Sequence, residues 1–340
     1  VACSTSAGLV LSDDEVDPTG NAGGVYRSTD GGVTFNLTSS SFCRGIVAVP
    51  NDFNTQYYSA TGLGAGDGLY RSTNGGQTWT QVPGAISGDT LGRLAIGISQ
   101  DGSQIYIGGS DNNQVVLQES FDSGATWNIP RRTDIVGNAP VALEYCEAQC
   151  DYDNVIAVDP FDPDNVFYGG VGIYQSTDGA ATFATVGNNN TGGGPLHVDH
   201  HLFLFDPTTA GTAYNGNDGG IYRTTDGGAT WTPLSGTLAT LQPYNISLHP
   251  TDANIFLAGN QDNGTTRRTN SDIWEEIFGG DGGFTAIDQG NPQRVFISTT
   301  ELNMSRSDNG GNPGTFFDVT PPLTGADQPN FIAPFVMDPN

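Results

Sequence analysis

Short apolar segments alternate with polar turns along the whole chain. The clearest case pairs residues 156–160 (IAVDP) with residues 166–170 (VFYGG), which are joined by a turn rich in Asp, Pro and Asn. Short runs of this kind, bounded by Asp, Pro, Asn and Gly, are typical of antiparallel strands joined by tight turns. The pattern therefore predicts an all-β chain with almost no helix.

A motif of nine residues recurs along the chain, first as residues 27–35 (RSTDGGVTF). Well-preserved copies follow at residues 71–79, 119–127, 175–183 and 223–231, and two decayed copies at 268–274 and 306–316. The Asp or Asn at the corner can accept hydrogen bonds from amides of the turn, and the glycines supply the positive φ that such turns need. The corner residues are therefore predicted to be scaffold residues: Asp30, Asn74, Asp122, Asp178, Asp226 and Asn309.

Each repeat is predicted to form four short antiparallel strands, and seven repeats predict a single seven-bladed β-propeller. The first repeat lacks an inner strand, and residues 331–340 have the apolar pattern of one. We expect this C-terminal strand to complete the first blade and close the ring, which would remove the exposed sheet edges. The predicted boundaries are residues 8–41 with 331–340 for blade 1, 42–84 for blade 2, 91–133 for blade 3, 134–153 for an insertion, 154–188 for blade 4, 196–236 for blade 5, 242–278 for blade 6 and 281–320 for blade 7.

The repeated motif resembles the Asp-box (BNR) repeat of sialidase-like β-propellers, over nearly the whole chain. The resemblance implies a propeller in which the box is structural and far from any active site. That superfamily includes sialidases, xyloglucanases, sortilin-type receptors, a photosystem assembly factor and many secreted proteins, so the fold alone implies no activity. Sialidase activity is not expected, because the chain has no Phe/Tyr-Arg-Ile-Pro segment and no three arginines in a shared register. One propeller would supply only half of a xyloglucanase cleft, which lies between two.

The charge of the chain excludes two classes of partner. The 37 acidic residues outnumber 11 basic residues, all of them arginine, which gives a net charge of −26. Nucleic acid and anionic membranes would be repelled. No apolar run has the length of about 18 residues that a transmembrane helix needs. No charged and apolar leader precedes Val1, so we expect that a signal peptide has been removed.

The four cysteines are Cys3, Cys43, Cys146 and Cys150. An even number in a chain of this composition favours two disulfides in an oxidising compartment. The close spacing of Cys146 and Cys150 predicts one local loop, which leaves Cys3 to pair with Cys43. A zinc site is the competing interpretation, but a single Cys-x3-Cys without a second pair supports it weakly.

Histidines and aspartates concentrate near the start of the fifth repeat, in residues 196–202 (LHVDHHL). Strand alternation would place His197, Asp199 and His201 on one face, although one metal could not reach both histidines of a flat strand without a bulge. Alignment of the repeats places Asp281 at the register of Asp199, and adjacent turns add further aspartates. The predicted metal ligands are His197, Asp199, His201, Asp218, Asp262 and Asp281. Their segments resemble the His-x-Asp-x-His, Asn-Asp-Gly-Gly, Gln-Asp-Asn-Gly and Gly-Asp-Gly-Gly signatures of a poorly characterised group of secreted Asp-box proteins.

Three interpretations of these residues compete. Clustered carboxylates and amide oxygens suit Ca²⁺, whereas histidine would favour a transition metal. Asp199 and Asp281 could instead form a catalytic pair of the glycosidase type. The residues could also be structural, as Asp–Gly turns and buried histidines with backbone partners. Because Asp199 and Asp281 have similar predicted surroundings, nothing separates their pKa values as acid–base catalysis requires. A divalent cation, calcium in the first place, is the predicted cofactor.

The leading functional prediction is a secreted or cell-surface propeller without enzymatic activity, which binds or assembles with a protein or a polysaccharide and carries cation sites at the mouth of its channel. The alternative is a glycoside hydrolase-like or carbohydrate-binding propeller that is not a sialidase. Self-assembly, or membership of a longer parent chain, is a third possibility. The absence of a complete catalytic set in the sequence favours the first interpretation.

Overall fold

The structure, a computed structural model, describes residues 2–4, 24–60, 66–112, 114–129, 131–132, 145–146, 149–186, 196–237, 241–269, 274–322 and 330–337. In these ranges the regular structure is strand, with short 3-10 turns at Ser235–Thr237 and Thr300–Leu302 and no α-helix. The all-β class is therefore confirmed. No described helix has the length and hydrophobicity to span a bilayer. The chain divides into two compact units, Val1–Gly236 and Thr237–Asn340.

The first unit contains five antiparallel sheets among its described residues, each built from strands consecutive in sequence. The first sheet comprises β1 (Ala2–Ser4), β2 (Gly24–Arg27) and β3 (Asn36–Ser39). The second comprises β4 (Cys43–Val49), β5 (Asp52–Ala60), β6 (Gly68–Ser72) and β7 (Thr80–Gln81). The third comprises β8 (Leu91–Ile98), β9 (Ile105–Asp111), β10 (Gln114–Ser120) and β11 (Arg131–Arg132).

The remaining two sheets of the first unit follow the same order. The fourth comprises β12 (Val155–Val158), β13 (Val166–Gly169), β14 (Ile173–Ser176) and β15 (Ala184–Thr185). The fifth comprises β16 (His200–Phe205), β17 (Ala213–Asn217), β18 (Gly220–Thr224) and β19 (Thr232–Pro233). The described residues of the second unit add two sheets of this type. They comprise β20 (Pro243–Leu248), β21 (Ile255–Asn260), β22 (Thr265–Thr269) and β23 (Trp274–Phe278), and then β24 (Thr285–Ile287), β25 (Val295–Ser298), β26 (Met304–Ser307) and β27 (Phe317–Asp318).

The core lies between consecutive sheets within each unit. Phe167 of the fourth sheet stacks on Phe203 of the fifth, with ring centroids 4.4 Å apart, and Trp231 closes the same cluster. In the second unit Leu257 and Ile287 belong to one buried cluster between the sixth and seventh sheets. Burial of one such side chain contributes roughly 1.5–3 kcal/mol. The apolar side chains of the strands therefore pack neighbouring sheets against each other.

The Asp-box turn of the third sheet shows the geometry of the motif. Asp122 Oδ1 accepts bonds from the amide of Thr126 at 2.7 Å and from the hydroxyl of Ser120 at 2.9 Å, and its Oδ2 accepts the Thr126 hydroxyl at 2.5 Å. The Trp127 indole then donates to the carbonyl of Gly124 at 3.2 Å. Equivalent side-chain contacts occur at Asp30, Asn74, Asp178 and Asp226.

Donors at the turn keep these carboxylates ionised. Hydrogen bonds from Thr34 and Ser28 lower the pKa of Asp30 to about 2, and the bonds from Thr126 lower the pKa of Asp122. The seventh copy differs, because the Ser307 hydroxyl bonds to the Thr315 hydroxyl at 2.6 Å. The turn of this decayed copy is thus held by a different pair of side chains.

The C-terminal strand predicted over residues 331–340 is not found in residues 330–337, which form no strand. This part of the prediction is wrong: β2 pairs with β1 near the N-terminus, and the first sheet has three described strands, none of them from residues 330–337. Pro334 has no amide hydrogen for a sheet ladder. The carbonyl of Phe331 instead accepts the amide of Glu301 at 2.9 Å, and Phe335 lies 6.3 Å from the ring of Phe284. Closure into one ring stays a prediction.

Candidate metal centre

A disulfide-bonded turn precedes the fourth sheet. The predicted Cys146–Cys150 disulfide is present, with Cα atoms 4.8 Å apart and both cysteines buried. The amides of Tyr152 and Asp153 donate to the carbonyl of Gln149 at 2.8 and 3.0 Å, so the turn continues beyond the disulfide. This turn fixes the backbone of Asp153 in the interior of the first unit.

The second disulfide predicted from the sequence involves a residue that the structure describes only in part. Cys43 is buried and disulfide-bonded. The side chain of Cys3 lies outside the described residues. The Cys3–Cys43 pairing therefore stays a prediction.

Asp199 lies just before β16 in a backbone conformation that few residues other than glycine adopt. Its φ is +62°, and its amide donates to the carbonyl of Val171 at 3.4 Å. Strand pairing begins only at His200, and the register shifts between His200 and Leu202. The sequence-based expectation that His197, Asp199 and His201 alternate along one strand is therefore wrong: β16 starts after Asp199, and the bulge re-aims His201.

Asp218 and His201 meet on the exposed side of the same region. Asp218 occupies the tight turn between β17 and β18, and His201 Nε2 lies 2.7 Å from its Oδ1. Carboxylate oxygens of Asp199 and Asp218 lie within 4.8 Å of one another. The ring of Tyr152 stands edge-on to His201 with centroids 4.8 Å apart, so the disulfide-bonded turn and the fifth sheet contact each other here.

His197, the remaining predicted histidine ligand of this unit, has its Nδ1 3.1 Å from the carbonyl of Val198. A Cβ added at Gly219 would collide with the Cβ and ring of His197. Glycine is therefore needed at this position of the β17–β18 turn, because the histidine side chain lies directly over its backbone. The histidine and the turn that carries Asp218 are packed together.

Asp153 is the most deeply buried carboxylate of this region. Its exposed fraction is 0%, and no amide or hydroxyl of another described residue donates to either of its oxygens. Burial, with the nearby charge of Asp199, raises the pKa of Asp153 to about 8. Burial and the charge of Asp218 likewise raise the pKa of Asp199, whose Oδ1 is buried without a donor. These carboxylates destabilise one another unless a proton or a cation neutralises them.

The buried histidine of β16 supplies no compensating positive charge. His200 is fully buried, and its Nδ1 lies 2.9 Å from Asn215 Oδ1. Burial lowers the pKa of His200 to about 4, so the imidazole is neutral at physiological pH. The adjacent Asn217 amide also donates to Asn215 Oδ1 at 3.0 Å, which fixes the acceptor that orients the ring.

The two predicted ligands of the second unit contact each other. Asp281 Oδ1 accepts the amide of Asp262 at 2.9 Å, and the φ of Asp262 is +60°. The amide of Gly264 donates to the carbonyl of Gly280 at 2.8 Å, so two turns are joined. Asp281 lies four residues before β24, whereas Asp199 is adjacent to β16. The register equivalence predicted for these aspartates stays a prediction.

The described residues thus define an all-β protein of consecutive antiparallel sheets with a carboxylate cluster in its first unit, formed by the half-buried Asp199 and Asp218 and the fully buried Asp153. No family model and no curated protein matches the sequence. Among solved structures, the chain is similar to the GH74 enzyme of Niastella koreensis, at 20% identity over 82% of this chain and 45% of that chain, with a TM-score of 0.46. The GH74 xyloglucanase of Xanthomonas campestris has 19% identity over 82% and 45%, with a TM-score of 0.42.

YCF48 from Cyanidioschyzon merolae has 15% identity over 80% of this chain and 83% of that chain, with a TM-score of 0.36. The chain spans less than half the length of both GH74 proteins. At such identities and TM-scores these similarities support no statement on activity.

Proposed function

We propose that the chain is a non-enzymatic binding or assembly module of the extracellular space or cell surface, and that its carboxylate cluster holds a divalent cation. The observation that carries the proposal is Asp153, a fully buried carboxylate without a hydrogen-bond donor from another described residue. An uncompensated buried charge is costly, and a shared cation removes that cost for several carboxylates at once. The partner would be a protein or a polysaccharide of the cell surface.

The Cys146–Cys150 disulfide supports the extracellular part of the proposal. Disulfides persist in oxidising compartments and are rare in the cytosol. The net charge of −26 supports the exclusion of nucleic acid as a partner, because phosphates would be repelled. Both features suit a module that works outside the cell.

The alternative, a glycoside hydrolase-like or polysaccharide-binding module, would use Asp199 and Asp281 as its carboxylate pair. A retaining or inverting glycosidase needs two carboxyl groups that flank the scissile bond. Asp281 Oδ1 already accepts the amide of Asp262 from the neighbouring turn. Asp199 shares its surroundings with the buried Asp153, which has no surface to offer a substrate. These contacts favour cation binding over acid–base catalysis.

The test combines a cation assay with a cleavage assay. Metal-stripped protein should gain thermal stability on addition of CaCl₂ and lose it again on addition of a chelator. The same preparation should release no reducing ends from xyloglucan or other plant and algal polysaccharides. Release of reducing ends that disappears in Asp281→Asn, from a protein whose stability ignores Ca²⁺, would replace the proposal with the hydrolase alternative.

A further inference from the structure

We infer that a cavity between the sixth and seventh sheets binds a small organic acid, with the carboxylate of the acid at His249 and Arg267 and its apolar body on aliphatic side chains. The cavity has a volume of about 230 Å³ and lies wholly within the second unit. It contains no residue of the carboxylate cluster of the first unit. The inference therefore goes beyond the proposed cation site and does not depend on it.

The floor of the cavity is aliphatic. It includes Leu257 of β21, Ile287 of β24 and Val295 of β25, whose exposed fractions are 1%, 3% and 1%. An apolar cavity of about 150 Å³ is large enough to bind benzene. The larger volume of the present cavity leaves room for a ring of that size together with a carboxylate.

His249 presents a hydrogen-bond donor at this cavity. Its Nδ1 accepts the amides of Thr251 and Asp252 at 3.3 and 3.2 Å, so the ring hydrogen is on Nε2. The amide of His249 donates to the carbonyl of Ile255 at 3.0 Å, which holds the backbone in place. Within the described part of the chain, no residue accepts the hydrogen on Nε2. An acceptor oxygen of a ligand would do so.

Arg267 supplies a positive charge that is already oriented. Its Nη1 donates to the carbonyl of Gly310 at 2.8 Å and to Asn312 Oδ1 at 3.0 Å, and its Nη2 lies 2.7 Å from Glu275 Oε2. These contacts fix the guanidinium, whose side chain is still 12% exposed. Little side-chain entropy is therefore lost when a ligand binds to it. Glu275 is 49% exposed and does not line the cavity.

The charge of the cavity wall is opposite to that of the chain. Acidic residues outnumber basic residues by 37 to 11 in the sequence, yet no described Asp or Glu lines this cavity. The rim carries the exposed amides of Gln293, Asn309 and Asn312, so a ligand can enter from solvent. A guanidinium and an N–H donor suit an anionic oxygen, whereas the aliphatic floor suits a hydrocarbon body. A carboxylate on a ring or on a short aliphatic chain has both parts.

The experiment titrates the metal-stripped full chain with three probes: sodium benzoate, benzamide as its neutral analogue of the same shape, and sodium acetate as a carboxylate without the ring. Benzoate should bind with a dissociation constant on the order of 1 mM or tighter. Benzamide should bind at least about tenfold more weakly, because the charge-assisted hydrogen bond is lost. Acetate should also bind at least about tenfold more weakly, because it buries less apolar surface. Equal binding of benzoate and benzamide would contradict the inference, as would no binding of benzoate.

Substitutions on one strand pair separate contact from net charge. Arg267→Gln should weaken benzoate binding at least about tenfold. The matched control, Arg268→Gln, should keep the wild-type affinity, because the Arg268 guanidinium lies over the ring of Phe256 and does not line the cavity. Glu275→Gln should strengthen benzoate binding, since it removes the carboxylate that shares Arg267. Equal losses in the two arginine variants, or weaker binding in Glu275→Gln, would refute a site at Arg267.

A measurement on the wild type does not depend on the folding of a variant. The chain has four histidines, so the imidazole region of its NMR spectrum is simple. Benzoate should shift the signals of His249, which are identified by their loss in His249→Gln, and leave those of His197, His200 and His201 in place. Unshifted His249 signals at saturating benzoate would show that the acid binds elsewhere and would end the inference.

Discussion

Aspartates of the Asp-box turns and aspartates of the carboxylate cluster occupy opposite surroundings. At the turn, Asp122 receives an amide and two hydroxyl donors on the surface, and these donors lower its pKa. In the cluster, Asp153 is buried without such donors and its pKa is raised. The residue type is the same in both places, so the supply of donors decides whether the carboxylate stabilises the fold. A cation would neutralise the charge of an interior carboxylate that has no hydrogen-bond donors.

The largest effect is expected from Asp153→Asn in a chelating buffer. The pKa of Asp153 is raised from 3.8 to about 8, so the folded wild type binds more protons than the unfolded chain between these values. Its free energy of unfolding should therefore fall as the pH rises through that window, and the variant should lack this slope. At about pH 9 the variant should be more stable than the wild type by on the order of 3 kcal/mol. This is less than the whole pKa shift would give at about 1.4 kcal/mol per pKa unit, because the neighbouring carboxylates share the effect.

Urea unfolding at several pH values in chelator measures this difference. A variant that is less stable than the wild type across the whole range would contradict the comparison. That result would mean that hydrogen-bond donors stabilise the ionised Asp153 carboxylate in the folded protein.

Calcium should produce the next largest effect. Ca²⁺ at about one hundred times its dissociation constant should raise the free energy of unfolding of the wild type by about 2.7 kcal/mol, because only the folded state presents the cluster. Asp178→Asn should keep this response, since Asp178 belongs to an Asp-box turn. Thermal melting with and without chelator provides the measurement, and a calcium response that survives in Asp199→Asn would place the ion elsewhere.

Removal of the Cys146–Cys150 disulfide should have an intermediate effect. The double substitution Cys146→Ser with Cys150→Ser opens a loop of sequence separation four, which costs about 2 kcal/mol by the chain-entropy relation. Because the turn beyond the disulfide fixes the backbone of Asp153, the affinity for Ca²⁺ should fall as well. Urea unfolding and calcium titration of the same variant test both consequences. Unaltered calcium affinity would show that the turn holds its shape without the disulfide.

The smallest effect is expected at an Asp-box corner. Asn74 naturally replaces Asp in the second turn and keeps the contacts with Ser72 and Thr78, so Asp178→Asn should change the stability by no more than about 0.5 kcal/mol. Asp178→Ala removes the acceptor and should cost about 1–2 kcal/mol, as the loss of a helix cap does.

Hydrogen bonds from Thr182 lower the pKa of Asp178. The contribution of the ionised Asp178 to the free energy of unfolding should therefore be present above a pH of about 4. It should be lost as the pH falls below the lowered pKa, and urea unfolding in acid would detect the loss.

The sequence predicts the strands well because their signals are local. The Ser, Asp, Gly and Thr positions of the motif lie within a few residues of one another and contact one another, as at Asp122. The apolar positions between the motifs alternate and pack between neighbouring sheets, as Phe167 and Phe203 do. A repeat can therefore be recognised from its own residues, without knowledge of the rest of the chain.

The carboxylate cluster could be predicted only in part. The prediction named Asp199 and Asp218 but treated residues 197–201 as one strand, because alternation gives no sign of the positive φ at Asp199. Asp153 was not among the predicted ligands, because alignment of the repeats places its neighbour Tyr152 at the register of Asp199 in the fourth repeat. The available signal was the succession of Asp151, Tyr152 and Asp153 directly after Cys150, whose turn carries Asp153 into the interior.

The consecutive order of strands in every described sheet has a consequence for the history of such a chain. Because no sheet borrows a strand from a distant part of the described sequence, one contiguous stretch of sequence encodes one sheet with its turn. Duplication or deletion of such a stretch adds or removes a whole sheet without rethreading the backbone, as in other repeat proteins. Copies are then free to diverge individually. The segments before the fourth and fifth sheets could thus acquire Asp153 and Asp199 while the Asp-box turns kept their contacts.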